Sequence, residues 1–355
     1  MDRRSRHLIG WTAIAGIVAS AAVFAHDPTY SGNFDRSRCT FATTGSNPFM
    51  PLWPGLEVTL VGEEDDGGEL IEVEAIVTVT EDTELVDGVL TRVITEEESE
   101  DGEIVEISFN YFAHCRETGD VWYFGEDVDD YEDGVIVGHG GAWRTGQDGA
   151  LAGIFMLGSP MIGARHYQEQ APGVAEDRGE VIALNETVAV PAGTFTGVLN
   201  VLDTNALDLG SPGDTKKYAP GIGLIVDDVL ELIDFELPEC VPDATTHCLQ
   251  NGRFRVTVDW ENFLGGEGEA HAILASNESG EFWFFSPGNT ELLVKVIDAC
   301  SESTPRYWVF AGGLTNVGVT LTVEDVETGL EHEYENEVGT NFAPVLDIET
   351  FDVCD

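Results

Sequence analysis

The densest run of metal-ligating side chains is Glu126-Asp127-Val128-Asp129-Asp130-Tyr131-Glu132-Asp133-Gly134. Carboxylates at this density suit Ca²⁺, a hard cation that takes about six to eight oxygen ligands. Asp127, Asp129, Asp130 and Asp133 are the candidate ligands, and calcium is the candidate cofactor. The spacing is not that of an EF-hand loop: with Gly134 at its sixth position, Tyr131 stands third and Gly140 twelfth, where ligands are needed. The weightier reading is a hydrated hairpin tip. Residues 63–68 and 96–102 are similar acidic runs ending in Gly, each lying between predicted strands, and both read as exposed loops.

A second constellation, His166 with Glu169, Glu176 and Asp177, is the densest mixture of titratable and aromatic groups in the first half of the chain. Brought together on a sheet, these side chains can do acid–base or metal-binding work; dispersed, they form a surface loop, the favoured reading. No GxSxG elbow, HExxH, P-loop or dinucleotide fingerprint occurs. His26 follows Ala25, a small residue at which a leader can be cut, and a free amino terminus plus imidazole chelates copper. The likeness to copper-dependent polysaccharide oxygenases is one residue deep, and any exposed terminal residue is the simpler account. Trp260, Phe282, Trp283, Phe284, Phe285, Tyr307, Trp308 and Phe310 offer an aromatic platform for sugar, but alternation along a strand sends Trp283 and Phe285 to one face and Phe282 and Phe284 to the other. One of those sets must be core.

The environment is better specified than the chemistry. Sixty-six Asp and Glu oppose sixteen Lys and Arg, for a formal charge of −50. This field repels nucleic acid and anionic membrane surfaces, which bind through clustered Lys and Arg, so neither is an expected partner. Arg3, Arg4, Arg6 and His7 precede an apolar run over residues 8–24, and the small residues that follow read residues 1–25 as a cleaved export signal. The expected location is secreted or periplasmic. Six cysteines, at 39, 115, 240, 248, 300 and 354, form no zinc-finger spacing and are expected as disulfides. Because Cys39 and Cys115 belong to the first half and the others lie at or beyond a linker, Cys39–Cys115, Cys240–Cys248 and Cys300–Cys354 are the favoured pairs.

These groups have to be positioned by strands. Runs rich in Val, Ile, Thr, Tyr and Phe at 71–80, 89–94, 104–112 and 121–124 are separated by Asp87-Gly88, Asp101-Gly102 and Asp133-Gly134, dipeptides suited to type I′ hairpins. Ile71, Val73, Ala75, Val77 and Val79 share one face of the first run. Helical periodicity is weak throughout. Two prolines in Leu237-Pro238-Glu239-Cys240-Val241-Pro242 mark a break. The division is thus a signal peptide (1–25), an N-terminal segment (26–46), a curved antiparallel β-sheet domain (47–236), a linker (237–247) and an immunoglobulin-like β-sandwich module (248–355), an all-β protein.

Val190-Pro191-Ala192-Gly193-Thr194-Phe195, followed by Tyr218-Ala219-Pro220-Gly221-Ile222-Gly223-Leu224, resembles bacterial envelope proteins that carry a VPAGTF turn and a YAPGIGL turn on one large curved sheet. Asn47-Pro48-Phe49-Met50-Pro51-Leu52-Trp53-Pro54-Gly55 looks like the segment that opens that domain. The resemblance covers residues 47–235 and implies the fold; members include lipid carriers and periplasmic binding folds. Residues 248–355, through Asn251-Gly252-Arg253-Phe254, Gly280-Glu281-Phe282-Trp283 and Trp308-Val309-Phe310-Ala311-Gly312-Gly313, resemble a C-terminal all-β module of secreted bacterial proteins. The expectation is a non-catalytic exported acidic protein acting by binding or adhesion in the cell envelope or outside the cell, on an envelope protein, a carbohydrate or an apolar small ligand. The alternatives are a carrier that holds an apolar ligand in the curved sheet and a metal-dependent enzyme using calcium or copper.

Overall fold

The computed structural model describes residues 29–354 except 46, 209, 275 and 304; the expected leader and His26 lie outside the described residues. The chain packs as two compact units, Met1–Leu237 and Pro238–Asp355. Both are all-β, and the described residues contain no α-helix, only a 3-10 turn over Arg36–Arg38.

The first unit contains β1 (Phe41–Ala42), β2 (Glu57–Asp66), β3 (Glu69–Val86), β4 (Val89–Glu100), β5 (Glu103–Cys115), β6 (Val121–Glu132), β7 (Val135–Gly138), β8 (Trp143–Arg144), β9 (Leu151–Met156), β10 (Arg165–Tyr167), β11 (Glu169–Gln170), β12 (Asp177–Val190), β13 (Gly193–Asn205), β14 (Asp214–Ala219), β15 (Gly223–Asp227) and β16 (Leu230–Glu236). The Asp-Gly pairs make the expected turns. At 87–88, 101–102 and 133–134 both residues have positive φ, 46° and 80°, 50° and 80°, 51° and 74°, the backbone that lets a two-residue hairpin follow the strand twist.

Strands reach further than expected. Residues 63–66 and 96–100, anticipated as exposed loops, are the ends of β2 and β4. Residues 126–132, anticipated as a hairpin tip, are the second half of β6, and only Asp133-Gly134 forms the tip. Acidic side chains favour strands poorly, but here neighbours hold the backbone on both sides: Ala75, Glu98 and Glu106 stand abreast on β3, β4 and β5. The ladder outweighs the propensity.

The strands form one sheet in the order β10-β12-β13-β14-β15-β16-β2-β3-β4-β5-β6-β9-β11. Its two ends, β10 and β11, are consecutive in the chain with only Gln168 between them. Residues 165–170 therefore seam the sheet into a nearly closed barrel, pairing first with β12 and then with β9. Gly153 permits this crossing, since a Cβ there would lie 2.1 Å from the Gln168 carbonyl oxygen. Ser31 reinforces the seam, its N–H donating to Arg165 O (3.0 Å) and its carbonyl accepting from Tyr167 N (2.8 Å). Fully buried Arg92 ties down the irregularity after Val79 in β3, donating from Nε to Thr43 O (3.0 Å) and from Nη1 to Thr80 O (3.1 Å) and Glu81 O (2.6 Å). Burial pulls its pKa down to about 10.

The second unit has two five-stranded sheets. One contains β17 (His247–Leu249), β18 (Phe254–Glu261), β19 (Glu267–Glu269), β24 (Gly318–Asp325) and β25 (Leu330–Asn336); the other contains β20 (His271–Leu274), β21 (Ser279–Trp283), β22 (Leu292–Asp298), β23 (Tyr307–Gly313) and β26 (Val345–Phe351). Alternate residues of both sheets, among them Val256, Val258, Leu321 and Val323 from the first and Phe282, Val294, Val296 and Val309 from the second, share one apolar core. That makes a β-sandwich.

Cys39–Cys115, Cys240–Cys248 and Cys300–Cys354 are disulfide-bonded, each within one unit. Three disulfides indicate an oxidising, extracytoplasmic environment. Among the described residues no helix is long and apolar enough to cross a membrane.

Candidate functional site

Period-two alternation decides which side chains enter the barrel. Along β4 the inward residues are Ile94, Glu96 and Glu98, while across β5 they meet Asn110, Ser108 and Glu106. On the opposite wall Val201 pairs with Lys216, and Lys216 with Asp227. The lumen thus receives carboxyl groups from β4, β5, β6, β12, β13 and β15, with Lys216 as the ammonium among them.

Lys216 Nζ lies 3.0 Å from Asp227 Oδ2 and 3.9 Å from Asp203 Oδ2, and the Lys216 and Asp227 side chains are each only 6% exposed. Burial alone would drive Lys216 towards the neutral form, but Asp227 and Asp203 override it and hold the pKa well above the usual lysine value. The pair is desolvated, so neither partner can be removed cheaply.

Burial raises the proton affinity of most other carboxyls of the lumen. Glu98 is 1% exposed and neither of its oxygens has a hydrogen-bond partner; burial, then the charges of Glu96 and Glu106, raise its pKa far above the carboxylate range. Burial likewise lifts Glu106 to about 7, helped by Glu96 and Asp130. Glu126 is raised by burial against the opposing hydrogen bond of Tyr123, whose hydroxyl lies 3.1 Å from Glu126 Oε2 and 2.6 Å from Asn110 Oδ1. At the seam burial and then the charge of Asp177 raise Glu169 strongly, while burial lifts Asp177 to about 6 with the neighbouring Glu169 holding it down. A low-dielectric interior disfavours every charge that lacks a partner.

Beside this cluster lies a cavity of about 90 Å³, several times the roughly 10–15 Å³ that one water needs. Leu56, Val58, Val77, Val79, Ile94, Phe112 and Phe155 wall it, and Glu96, Asn110, Lys216, Tyr218 and Asp227 supply its polar groups. Phe49, Met50 and Pro51 complete the wall from the segment that precedes β2. Asn47 pins that segment: its Nδ2 donates to Gly119 O (2.8 Å) and Leu157 O (3.2 Å), while its Oδ1 accepts from Phe49 N (2.9 Å) and Met50 N (3.2 Å). Pro48 O accepts from Gly221 N (2.7 Å), which joins the segment to the turn carrying Ile222, Gly223 and Leu224, also lining residues. The opening segment and the Tyr218–Leu224 turn are therefore walls of the cavity.

The sequence-level candidates are distributed as follows. Asp127 faces outward on β6 and is held by Arg144 (Nε to Oδ1, 3.1 Å) and by the Tyr111 hydroxyl (2.9 Å). Asp129 pairs with His139 Nδ1 (2.9 Å), Asp130 Oδ2 accepts from Gly140 N (2.8 Å), and Asp133 is at the turn. Asp127, Asp129 and Asp130 thus serve separate partners. Among the described residues, three potential metal-ligand atoms come together only at Cys39, Cys115 and Glu117, where both cysteines are disulfide-bonded. His166, Glu169 and Asp177 are buried at the seam rather than in the surface loop favoured from the sequence, and burial pushes His166 down to about 4, so it is neutral. Glu176 stays in the preceding turn, accepting from Gly173 N (3.4 Å). Of the aromatic set, Phe282, Phe284 and Tyr307 are core; Trp283 stacks on His271 (centroids 4.0 Å apart) and Phe285 is exposed against Trp260.

Sequence reasoning missed Glu96, Glu98, Glu106, Glu126, Asp203, Lys216 and Asp227. One signal was present: continuing the parity of Ile94 along β4 places Glu96 and Glu98 inside. Comparison with protein-family models, with curated proteins and with solved structures finds no match to this chain.

Proposed function

We propose that this is an exported, non-catalytic binding protein whose barrel carries a small, mainly apolar ligand beside the charged cluster of its lumen. The observation that carries the reading is the cavity itself, an apolar chamber whose walls include the opening segment and the Tyr218–Leu224 turn and whose polar groups include Glu96, Lys216 and Asp227. Binding sites of this form are apolar, concave and fixed by a few polar groups. The leader-like first residues and the three disulfides support export. The resemblance of residues 47–235 to envelope proteins that include lipid carriers points the same way.

A cavity-filling substitution tests it. Leu224→Trp puts bulk into the chamber without changing charge, so n-hexanol, titrated by calorimetry into the full chain, should bind the wild type saturably and bind L224W at least tenfold more weakly. Equal binding to both, or no saturable binding to the wild type, would overturn the proposal.

A further inference from the structure

We infer that a second cavity of the barrel unit, separate from the lumen chamber, binds a small neutral sugar or a polyol of similar size. Its volume is about 300 Å³, at the lower end of the roughly 300–1,000 Å³ of small-molecule sites, and it shares no lining residue with the chamber. Two turns border it. Residues 145–150, after β8, are closed by Gln147 N to Arg144 O (3.1 Å), Ala150 N to Gln147 O (2.8 Å) and Gly146 N to Ala150 O (3.0 Å), and residues 171–175 by Ala171 N to Ala175 O (2.7 Å) and Val174 N to Ala171 O (3.0 Å). Both turns are fixed before any ligand arrives, which lowers the ordering cost of binding. Trp143, Ala150 and Ala171 are its buried apolar residues, and the indole is held edge-on to Tyr123 with the ring centroids 5.2 Å apart.

The polar lining decides the class of ligand. Arg144 and Asp127 line the cavity as an ion pair, and the guanidinium spends four of its five N–H groups: Nε on Asp127 Oδ1 (3.1 Å), Nη1 on Glu84 Oε1 (2.8 Å), and Nη2 on Asp127 Oδ2 (2.5 Å) and the Tyr111 hydroxyl (2.9 Å). The Tyr111 hydroxyl in turn donates to Asp127 Oδ2 (2.9 Å), so the carboxylate keeps one lone pair, on Oδ1. What is left is one donor and one acceptor on a pair whose charges are already matched, and a hydroxyl is both. Gln147 adds an amide and Asp148 a carboxylate, and among the described residues neither side chain has a hydrogen bond or ion pair. An anion would have to compete with Asp127 and Glu84 for Arg144. A cation would find Asp127 already answered by Arg144 and Tyr111, leaving exposed Asp148, where water competes. A wholly apolar guest would strip water from Arg144, Asp127 and Gln147 without replacing its hydrogen bonds. A sugar ring brings a C–H face for the apolar residues and hydroxyls for the polar ones.

The test titrates D-glucose, D-galactose and D-mannose, each with its uronate and its amino sugar as charged counterparts, into the full chain by calorimetry at pH ~7.5 and high ionic strength, which screens the exposed acidic surface. Expected is saturable millimolar binding of at least one hexose, with its uronate and amino sugar weaker by about tenfold or more. Gln147→Ala, in an exposed turn, should keep the fold and weaken that hexose about tenfold. The same variant should bind n-hexanol as the wild type does, so this site and the lumen chamber fail separately. Val174→Trp, from the other turn, fills the cavity and should abolish sugar binding. Saturable binding of none of the hexoses overturns the inference, and so does a uronate or amino sugar that binds as tightly as its parent. Wild-type sugar affinity in either folded variant overturns it too, and V174W decides if Gln147→Ala does not fold.

Discussion

In the sandwich, the core shared by Phe254, Val256, Phe282, Val294, Val309 and Leu321 is apolar, and its fully buried carboxylate, Asp325, accepts from Arg253 Nε (3.2 Å) and Thr328 Oγ1 (2.8 Å). The barrel encloses Glu98 without a hydrogen-bond partner, Glu169 and Asp177 close enough to raise Glu169 further, and Lys216 among carboxylates. Both interiors are shielded from water, so the difference is not one of burial. An interior that serves stability alone satisfies or excludes its charges. Leaving carboxyls raised and unpaired costs folding energy that an apolar replacement would avoid, and such violations of local rules concentrate at functional sites.

Removing the lumen ammonium should produce the largest effect. Lys216→Met strands Asp227 and Asp203, and loss of one partner of a buried pair costs about 3–5 kcal/mol. Urea denaturation followed by circular dichroism should show that loss at pH ~8 and a smaller one at pH ~5.5, where the carboxylates take up protons instead. Phe254→Ala in the sandwich, with a cavity cost of about 3–5 kcal/mol, should lose the same amount at both pH values. A Lys216→Met loss that does not change with pH would break the contrast.

The wild-type protein should separate the two interiors by pH alone, with a shift of a few kcal/mol. Glu98, Glu106, Glu126, Glu169, Asp177 and Asp203 all have pKa values raised by burial first. The folded state therefore binds more protons than the unfolded one between the ordinary carboxylate range and about 7, the value reached by Glu106, and stability falls as pH rises through that window. His114 and His166, depressed by burial, act in the opposite direction on acidification, but six carboxyls outnumber them. In the sandwich the carboxyl Asp347 is held near 2 by its hydrogen bonds against the effect of burial, so its contribution is constant from pH ~5 to ~8. His247, lowered by burial, makes that unit slightly weaker as pH drops below about 6.5. Hydrogen exchange at fixed high ionic strength should show barrel amides better protected at pH ~5.5 than at ~8, after correction for intrinsic rates, and sandwich amides unchanged or slightly less protected.

How much of this was legible follows from the same residues. Alternation in Val73, Ala75 and Val79 and the Asp-Gly turns give the all-β class and three hairpins, because period and positive φ are local properties. The seam was hidden, since nothing near Gln168 announces that β10 and β11 pair with strands on opposite ends of the sheet. The acid cluster was hidden for a related reason. Glu96, Glu98 and Glu106 look like solvated charge until β3, β4 and β5 are aligned; the parity of Ile94 along β4 was the one local sign that Glu96 and Glu98 turn inward, and the register adds Glu106 opposite Glu98.

The smallest expected effect comes from the acidic run that looked most like a site. Glu126 points into the lumen and Asp127 and Asp129 point out, although they are near neighbours on one strand. Exposed ion pairs in water contribute little because each partner is nearly as well solvated alone. Asp129→Asn, which cuts the contact with the mostly exposed His139 imidazole, should leave Tm unchanged within error at any pH between about 5.5 and 8, and added Ca²⁺ should shift the variant and the wild type equally. A Tm drop comparable to that of Lys216→Met would mean that the outer face of β6 is as demanding as the lumen, and charge placement would no longer distinguish the inside of this barrel from its outside.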